Sequence, residues 1–427
     1  MANTKQYWSG LDELDGTDAF KEIQAKEFQE QIPVDQFLAD ESHSNNTTGR
    51  RDFLKFMGFS LTAATLAACE TPVIKSIPYT NKPAEITPGV ANYYASTYYD
   101  GMDYSNVLVK TREGRPIFIK GNSSTGIGAG KVNARVIGSV MSLYDRARLD
   151  GPTKNGEATT WADIDSAMKA AVSGSGRTVV LSNTIVSPST VKAINTLGAE
   201  HVQYDAVSYS ALRQAQSGLF GVNAVPSYDF TKAEVVVSIA ADFLSSWLSS
   251  TQYAPDYSSL RGPERGAQSK HFQFESAMTM TGTNADIRTM IKPSEEGKVA
   301  AGLLSVLKGG TVSNLDSGVA SRISAAAKAL KSASGKSLVI AGSNDLATQT
   351  IVAAINQLLG NYGSTLDLER PSMAYRGDDA SVEKLVADMN SGKITTLITY
   401  GCNPSYDLPN AEAFNKGIAK VKTSVCM

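Results

Sequence analysis

Few residues of this 427-residue chain are equipped for chemistry, and their spacing decides what they can do. Gly49-Arg50-Arg51-Asp52-Phe53-Leu54-Lys55 is followed by an apolar or small-residue run, Phe56 to Ala68, which ends on Leu66-Ala67-Ala68-Cys69. Adjacent arginines, then Phe-Leu-Lys, then such a run are the pattern of a twin-arginine export signal, carried by Arg50, Arg51, Phe53, Leu54 and Lys55. The run is shorter than the roughly 20 apolar residues that span a bilayer. Its ending forms a lipoprotein box, whose Cys69 sulfur is expected to receive a diacylglyceryl group. The plainer reading of the same stretch is a buried helix that happens to follow Arg-Arg. The signal is also late, starting near residue 50.

The other candidate ligands are sparse. Cys69, Cys402 and Cys426 make no disulfide framework and no Cys-x-x-Cys pair for zinc or an iron–sulfur cluster. His43, His201 and His271 are scattered, and no Cys-x-x-Cys-His exists for covalent haem. A metal site of the cysteine or histidine kind is therefore not expected, and Cys402 and Cys426 read as buried core residues. Gly126, Gly128 and Gly130 miss the dinucleotide fingerprint, because the third glycine comes one residue early and no clear strand precedes them, so they read as a loop.

The elements that must position these residues come next. Apolar residues make up 42% of the chain and charged ones 19%, enough for a sizeable core and two or more structural units. Residues 1–49 hold ten acids against three lysines, a balance of −7, in an arm with an interrupted apolar stripe at Trp8, Leu11, Leu14, Phe20, Ile23 and Phe28. A disordered leader and a docking peptide both fit it. The remaining excess of positive charge forms no basic block, so nucleic acid is excluded as a partner. Residues 50–69 are the signal, and 70–90, with Pro72, Pro78, Pro83 and Pro88, an extended tether.

Residues 91–150 predict a small antiparallel sheet with strands at 91–99, 107–110 and 116–120, the last two joined by Arg112-Glu113-Gly114-Arg115. Residues 151–427 alternate strands and helices. Strands are expected at 178–181, 202–204, 233–239, 337–340, 394–399 and 422–425, and helices from Ser187-Pro188 to Leu197, near 209–216 and over 348–359. Near-continuous β-branched strands between helices indicate parallel sheets covered on both faces, an α/β fold. Ligands bind at the carboxyl ends of such strands. There the chain reads Ser182-Asn183-Thr184, Ala240-Ala241-Asp242, Ala341-Gly342-Ser343-Asn344 and Gly401-Cys402-Asn403-Pro404. These residues suit a phosphate cradle, and equally any tight turn.

Gly114-Arg115-Pro116-Ile117-Phe118-Ile119-Lys120-Gly121-Asn122 and Leu143-Tyr144-Asp145-Arg146-Ala147-Arg148-Leu149-Asp150-Gly151-Pro152 resemble the start of molybdopterin oxidoreductases. The segments Gly282 to Pro293 and Gly392 to Pro404 resemble later steps of that family, so the likeness covers about residues 90–427. Tyr7-Trp8-Ser9-Gly10-Leu11-Asp12-Glu13-Leu14, the late signal, Ile77-Pro78-Tyr79 and Pro88-Gly89 resemble one subgroup, the B subunit of bacterial alternative complex III. The resemblance implies molybdopterin-oxidoreductase-like α/β domains behind a small antiparallel β piece and an extended N-terminal arm. It also implies a longer subunit whose C-terminal part, absent here, carries iron–sulfur clusters.

This chain departs from that family where cofactors are held. The first sheet has tyrosines in place of cluster cysteines. The expected Gly-x-Asn-Pro turn reads Ala240-Ala241-Asp242-Phe243, and the expected Asp-Pro-Arg reads Glu275-Ser276-Ala277. The resemblance so implies a chain with no cofactor of its own, molybdopterin included, and without catalytic residues. It would be a scaffold within a quinol:electron-acceptor oxidoreductase, beside a multihaem cytochrome c, an iron–sulfur segment or chain, and polytopic quinol-binding membrane subunits. Its place would be the periplasmic side of the inner membrane, held by an acylated Cys69. A molybdenum-dependent oxidoreductase subunit and a solute-binding lipoprotein are the alternatives.

Overall fold

The computed structural model describes residues 17, 18, 21, 84–87, 89–125, 130–264 and 268–427 of a chain that divides into two compact units, 1–81 and 82–427. The signal residues Arg50, Arg51, Phe53, Leu54 and Lys55, the acylation candidate Cys69, and Gly126 and Gly128 lie outside the described residues. In the first unit Lys21 Nζ stands 3.3 Å from Asp18 Oδ1, an exposed pair.

The second unit opens with a three-stranded antiparallel sheet in the order β1 (Asn92–Tyr99), β2 (Tyr104–Arg112), β3 (Arg115–Gly121). Glu113 and Gly114, at φ 46° and 75°, make the two-residue turn between β2 and β3, the backbone that matches the twist of paired strands. Val107 and Ile119 on one face of this sheet pack on Val136 of the short helix Ala134–Gly138. An exposed hairpin, β4 (Thr153–Lys154) and β5 (Glu157–Ala158), follows.

Two four-stranded sheets form the body, and every neighbouring pair in them is parallel. One contains β6 (Thr178–Ser182), β7 (Glu200–Gln203), β14 (Thr396–Tyr400) and β15 (Thr423–Cys426), in the order β15-β14-β6-β7. The other contains β9 (Val235–Ile239), β10 (Lys270–Glu275), β11 (Ile287–Met290) and β12 (Ser337–Ala341), in the order β11-β10-β9-β12. An antiparallel pair, β8 (Val225–Tyr228) and β13 (Leu366–Ser372), flanks the second set in sequence. The whole run from β8 to β13 is thus inserted between β7 and β14.

Both sheets are covered on both faces, as continuous apolar strands require. Val235, Val237, Ile239 and Val339 face the helices Glu296–Leu307, Ser317–Ser332 and Leu346–Leu358, through Leu303, Ile323 and Ile355. Val236, Leu338 and Ile340 face an aromatic layer of Tyr228, Phe230, Phe243, Trp247 and Tyr253. Val179 and Leu181 meet Leu385, Met389 and Phe414, while Val180 and Ile398 meet Ile185 and Ile194. Each such side chain contributes roughly 1.5–3 kcal/mol relative to exposure. The helix Pro188–Thr196 is bounded as its sequence predicts: the Ser187 hydroxyl accepts from Thr190 N–H, and Gly198 is left-handed beyond its end.

Candidate functional site

In each four-stranded sheet the strand order reverses once, between β6 and β14 and between β9 and β12. Such reversals splay the outgoing loops and open a crevice at the carboxyl ends of the strands. The two crevices of this chain are built differently.

Beyond β6 and β14 lies a cavity of about 440 Å³, lined by residues of four segments. Asn183 follows β6, Tyr204 and Asp205 follow β7, Gly401 to Asn403 follow β14, and Asp100 to Met102 form the turn between β1 and β2. Asp407, at the end of the helical turn Pro404–Asp407, completes the wall. The front turn is fixed by its own carboxylate. Asp100 accepts N–H groups from Met102 at 2.9 Å and Asp103 at 2.7 Å, and the Tyr98 hydroxyl at 2.9 Å. Tyrosines and an arginine hold this turn against the body. Tyr375 donates to Met102 O at 2.7 Å and Tyr99 to Ala374 O at 2.9 Å. Arg135 bridges the buried Asp103, at 2.6 Å, and Ser245 O, at 2.8 Å.

Asp205 is a clamp rather than a reactive group. Its two oxygens accept Thr184 N–H at 2.9 Å, Thr184 Oγ1 at 2.8 Å and Gly377 N–H at 2.8 Å, which uses its acceptors on loop backbone. Gly101 and Gly401 are left-handed, at φ 90° and 63°, and flank Asn183. A Cβ at Gly401 would come to 3.3 Å from the Asn183 amide oxygen, tighter than ordinary contact, while one at Gly101 would meet the amide nitrogen at an ordinary 3.4 Å, so it is Gly401 that leaves this amide room in the cavity wall. Cys402 donates weakly to Leu181 O at 3.5 Å, and burial pushes its thiol up to about 11, which makes it an inert neutral group at pH 7. It is half-buried, and Cys426 is exposed on the edge strand β15, so the expectation of two core cysteines is corrected. β15 pairs with a strand on one side only, and Cys426 there is left at the surface.

Beyond β9 and β12 the crevice is filled by the protein itself. A Cβ on Gly342 would lie 2.3 Å from Ala240 O, so the two loops touch backbone to backbone. Asp242 Oδ1 accepts Thr281 N–H at 3.1 Å and Thr281 Oγ1 at 2.7 Å, while the Asp242 carbonyl accepts the N–H groups of Ser245, Ser246 and Trp247. Gln349 ties the carbonyls of Ala341, at 3.0 Å, and Ser343, at 2.6 Å. Glu275, 1% exposed, accepts from Arg288 Nε at 2.6 Å, Thr279 Oγ1 at 2.7 Å and Gln273 Nε2 at 3.1 Å. Burial opposes its ionisation, but Thr279 and Arg288 outweigh burial and hold the carboxyl below its ordinary range. The row continues along one face of β10, where His271 Nε2 meets Gln273 Oε1 at 3.2 Å and Nδ1 meets the Tyr257 hydroxyl at 3.0 Å.

A larger depression of about 740 Å³ sits at the opposite, amino-terminal ends of β9 and β12. Its cations are already paired, Lys232 with Asp229 and Lys336 with Glu234, both at 2.9 Å, and strand amino ends are not where α/β sheets bind ligands. The cavity by Asn183 is therefore the candidate site. The sequence marks Asn183 and Gly401 to Asn403 as strand-end loop residues, but not Asp100, Tyr204 or Asp407, which only the fold brings there. Tyr204 reads as a strand residue, and Asp100 belongs to a separate sheet. Among the described residues no group of three His, Cys, Asp or Glu side chains could hold a metal ion, and no helix is long and apolar enough to cross a membrane.

No family model matches the chain. It is similar to the menaquinone reductase molybdopterin-binding-like subunit of Nitratidesulfovibrio vulgaris, 26% identical over 444 aligned residues, 88% of this chain and 62% of the relative. The chain thus spans about three-fifths of that relative's length. Among solved structures it is similar to acetylene hydratase from Pelobacter acetylenicus, with a TM-score of 0.54, 11% identity, and 78% of this chain and 58% of the other covered. A chain of the formyltransferase/hydrolase complex of Methylorubrum extorquens gives a TM-score of 0.44 at 14% identity over 64% of this chain and 81% of its own. The parallel sheets and the acetylene hydratase likeness give the fold: an α/β body of parallel sheets, similar to that of acetylene hydratase, behind a small antiparallel sheet.

Proposed function

We propose that this chain is the molybdopterin-like subunit of a membrane quinol or quinone oxidoreductase of the alternative complex III kind, and that it serves there as a cofactor-free scaffold. The similarity to a molybdopterin-binding-like subunit of menaquinone reductase supports a role in respiratory quinone chemistry. The observation that carries the scaffold reading is the filled crevice at β9 and β12. Where a nucleotide-bearing cofactor would lie across the strand ends, Gly342 abuts Ala240, and Asp242 and Glu275 are saturated by partners of this chain.

The residues present do not fit the cofactors of the family. The open cavity is lined by Asp100, Asp205 and Asp407, with no Lys or Arg among its lining residues, so a pyrophosphate would meet like charge without a counter-ion. Strand β1 offers tyrosines where a cluster needs thiolates. Electrons would pass through haems and clusters held elsewhere in the assembly, and this chain would fix their spacing.

In this reading the chain leaves the cytoplasm by the twin-arginine route, directed by Arg50 and Arg51. It is then acylated at Cys69 and sits on the periplasmic side of the inner membrane. Its partners are a multihaem cytochrome c, an iron–sulfur segment or chain, and polytopic quinol-binding subunits. The test is an inventory, by mass spectrometry and metal analysis, of what co-purifies from gently solubilised membranes. The scaffold reading expects those partners and no stoichiometric molybdenum on this chain. One molybdenum per chain, or a chain that purifies alone, overturns it. Intact mass tests the leader separately: residues 1–68 retained and Cys69 unmodified would end the acylation proposal.

A further inference from the structure

We infer that the cavity bounded by Asn183, Tyr204, Asp407 and the Asp100 to Met102 turn is a binding site for a small organic cation, an amine of diamine or polyamine size. Its volume of about 440 Å³ is within the range of small-molecule sites. Three carboxylates and no Lys, Arg or His are among its lining residues. A concave wall of one charge sign with low-dielectric sides concentrates counter-ions. Asp100 and Asp205 direct their oxygens to loop N–H groups. Asp407 is different, because its carboxylate has no hydrogen bond or ion pair among the described residues, although it is partly buried.

Tyr204 is the second, independent observation. Its side chain is 95% buried, being 5% exposed, lines the cavity, and its hydroxyl has no hydrogen-bond partner among the described residues. The ring is buried while the hydroxyl oxygen is not among the buried unpartnered atoms, so it opens on the cavity and is free to meet a ligand atom there. Burial first, and then the Asp407 charge, push this hydroxyl up to about 12, so it stays neutral and offers one donor and its lone pairs. The Asn183 amide, set between Gly101 and Gly401, adds an oxygen acceptor. An ammonium has three donors for Asp407, Tyr204 and Asn183, whereas a phosphate would be repelled. A metal ion is the poorer occupant, since no three carboxylate, thiol or imidazole groups converge among the described residues. The inference concerns a site the scaffold reading leaves unused and holds independently of it.

The test is isothermal titration calorimetry on the full-length chain at low salt, with putrescine and spermidine as probes and glucose and inorganic phosphate as controls. Both amines are expected to bind at one site, and the controls to give no heat. Asp407→Asn should weaken binding about tenfold or more, and Tyr204→Phe by about three- to tenfold, as loss of charged and neutral hydrogen bonds does. Glu234→Gln, at the other end of the strands, should leave it unchanged, which separates the site from diffuse attraction. Thermal unfolding of each variant checks that it is folded. Absence of heat from both amines, or equal affinity in Asp407→Asn, Glu234→Gln and the parent chain, overturns the inference.

Discussion

At the ends of β9 and β12 the backbones of Gly342 and Ala240 touch, while at the ends of β6 and β14 Asn183 stands between two glycines beside about 440 Å³ of open space. The two sheets share strand direction and one reversal of strand order, so topology does not separate them. What differs is where the strand-end polar groups find partners. In the filled crevice Asp242 and Glu275 turn inward to Thr281, Thr279 and Arg288. In the open one the Tyr204 hydroxyl and the Asp407 carboxylate line the cavity with no hydrogen-bond partner among the described residues. The carboxylates Asp242 and Glu275 support the fold in the first case, whereas the carboxylate of Asp407 is available to a ligand in the second.

Glu275→Ala tests the filled side most severely. It leaves the Arg288 guanidinium, Thr279 and Gln273 without their shared acceptor in a buried place, and breaking such a pair costs about 3–5 kcal/mol. Urea unfolding would measure this, and a loss below about 1 kcal/mol would mean that the row is not what fills the crevice. Gly342→Ala comes next, at about 2–3 kcal/mol, because its methyl group meets the Ala240 carbonyl at 2.3 Å and backbone must move. The matched change Gly101→Ala has space, with its nearest atom at 3.4 Å, and carries only the left-handed backbone penalty of about 1–2 kcal/mol. If the two alanines cost the same, the contrast in packing between the crevices is lost.

How far the sequence could lead is visible in the same residues. Strands β9 and β12 are legible because Val235 to Ile239 and Ser337 to Ala341 are buried on both faces. Ser187-Pro188 and Gly198 mark one helix through local capping alone. Strand β10 is harder to read, because His271, Gln273 and Glu275 look like a solvent face. They are buried because they satisfy one another, a matter of tertiary partners. Which strands share a sheet is also hidden: apolar runs announce burial but do not say that β6 pairs with β14 across the inserted β8–β13. The cavity is further from view, since Asp100, Asn183, Tyr204 and Asp407 converge only after both that pairing and the docking of the front sheet. The export and acylation residues lie outside the described residues, and their reading rests on sequence.

The buried row of β10 also makes the filled side sensitive to acid. Burial pulls His271 from its ordinary 6.5 to about 4. Between those values the unfolded chain takes up the proton and the folded chain does not. Stability from this group is therefore complete above about pH 6.5 and falls as pH drops toward 4, by up to about 1.4 kcal/mol per pH unit. Asp256, raised by burial to about 6, acts in the opposite sense over part of this window, so the informative quantity is the difference between the parent chain and His271→Gln. Urea unfolding at pH 7, 6 and 5 should show a shallower loss in the variant. Parallel curves would mean that His271 is protonated in the folded row, with Tyr257 and Gln273 as acceptors.

The smallest effect is expected from Asp407→Asn, and it separates the crevices most clearly because, as in Glu275→Ala, a carboxylate beside a strand-end crevice is lost. The Asp407 carboxylate has no hydrogen bond or ion pair among the described residues, and the cavity wall it shares holds two further acidic side chains, Asp100 and Asp205. Removing its charge breaks no contact and relieves some repulsion, so stability should stay within about 0.5 kcal/mol of the parent. A loss above about 2 kcal/mol would show that Asp407, like Glu275, is held by the fold. The open cavity would then be a packing gap rather than a place prepared for a ligand. An unchanged stability joined to a large loss of amine binding would instead separate folding from recognition at a single side chain.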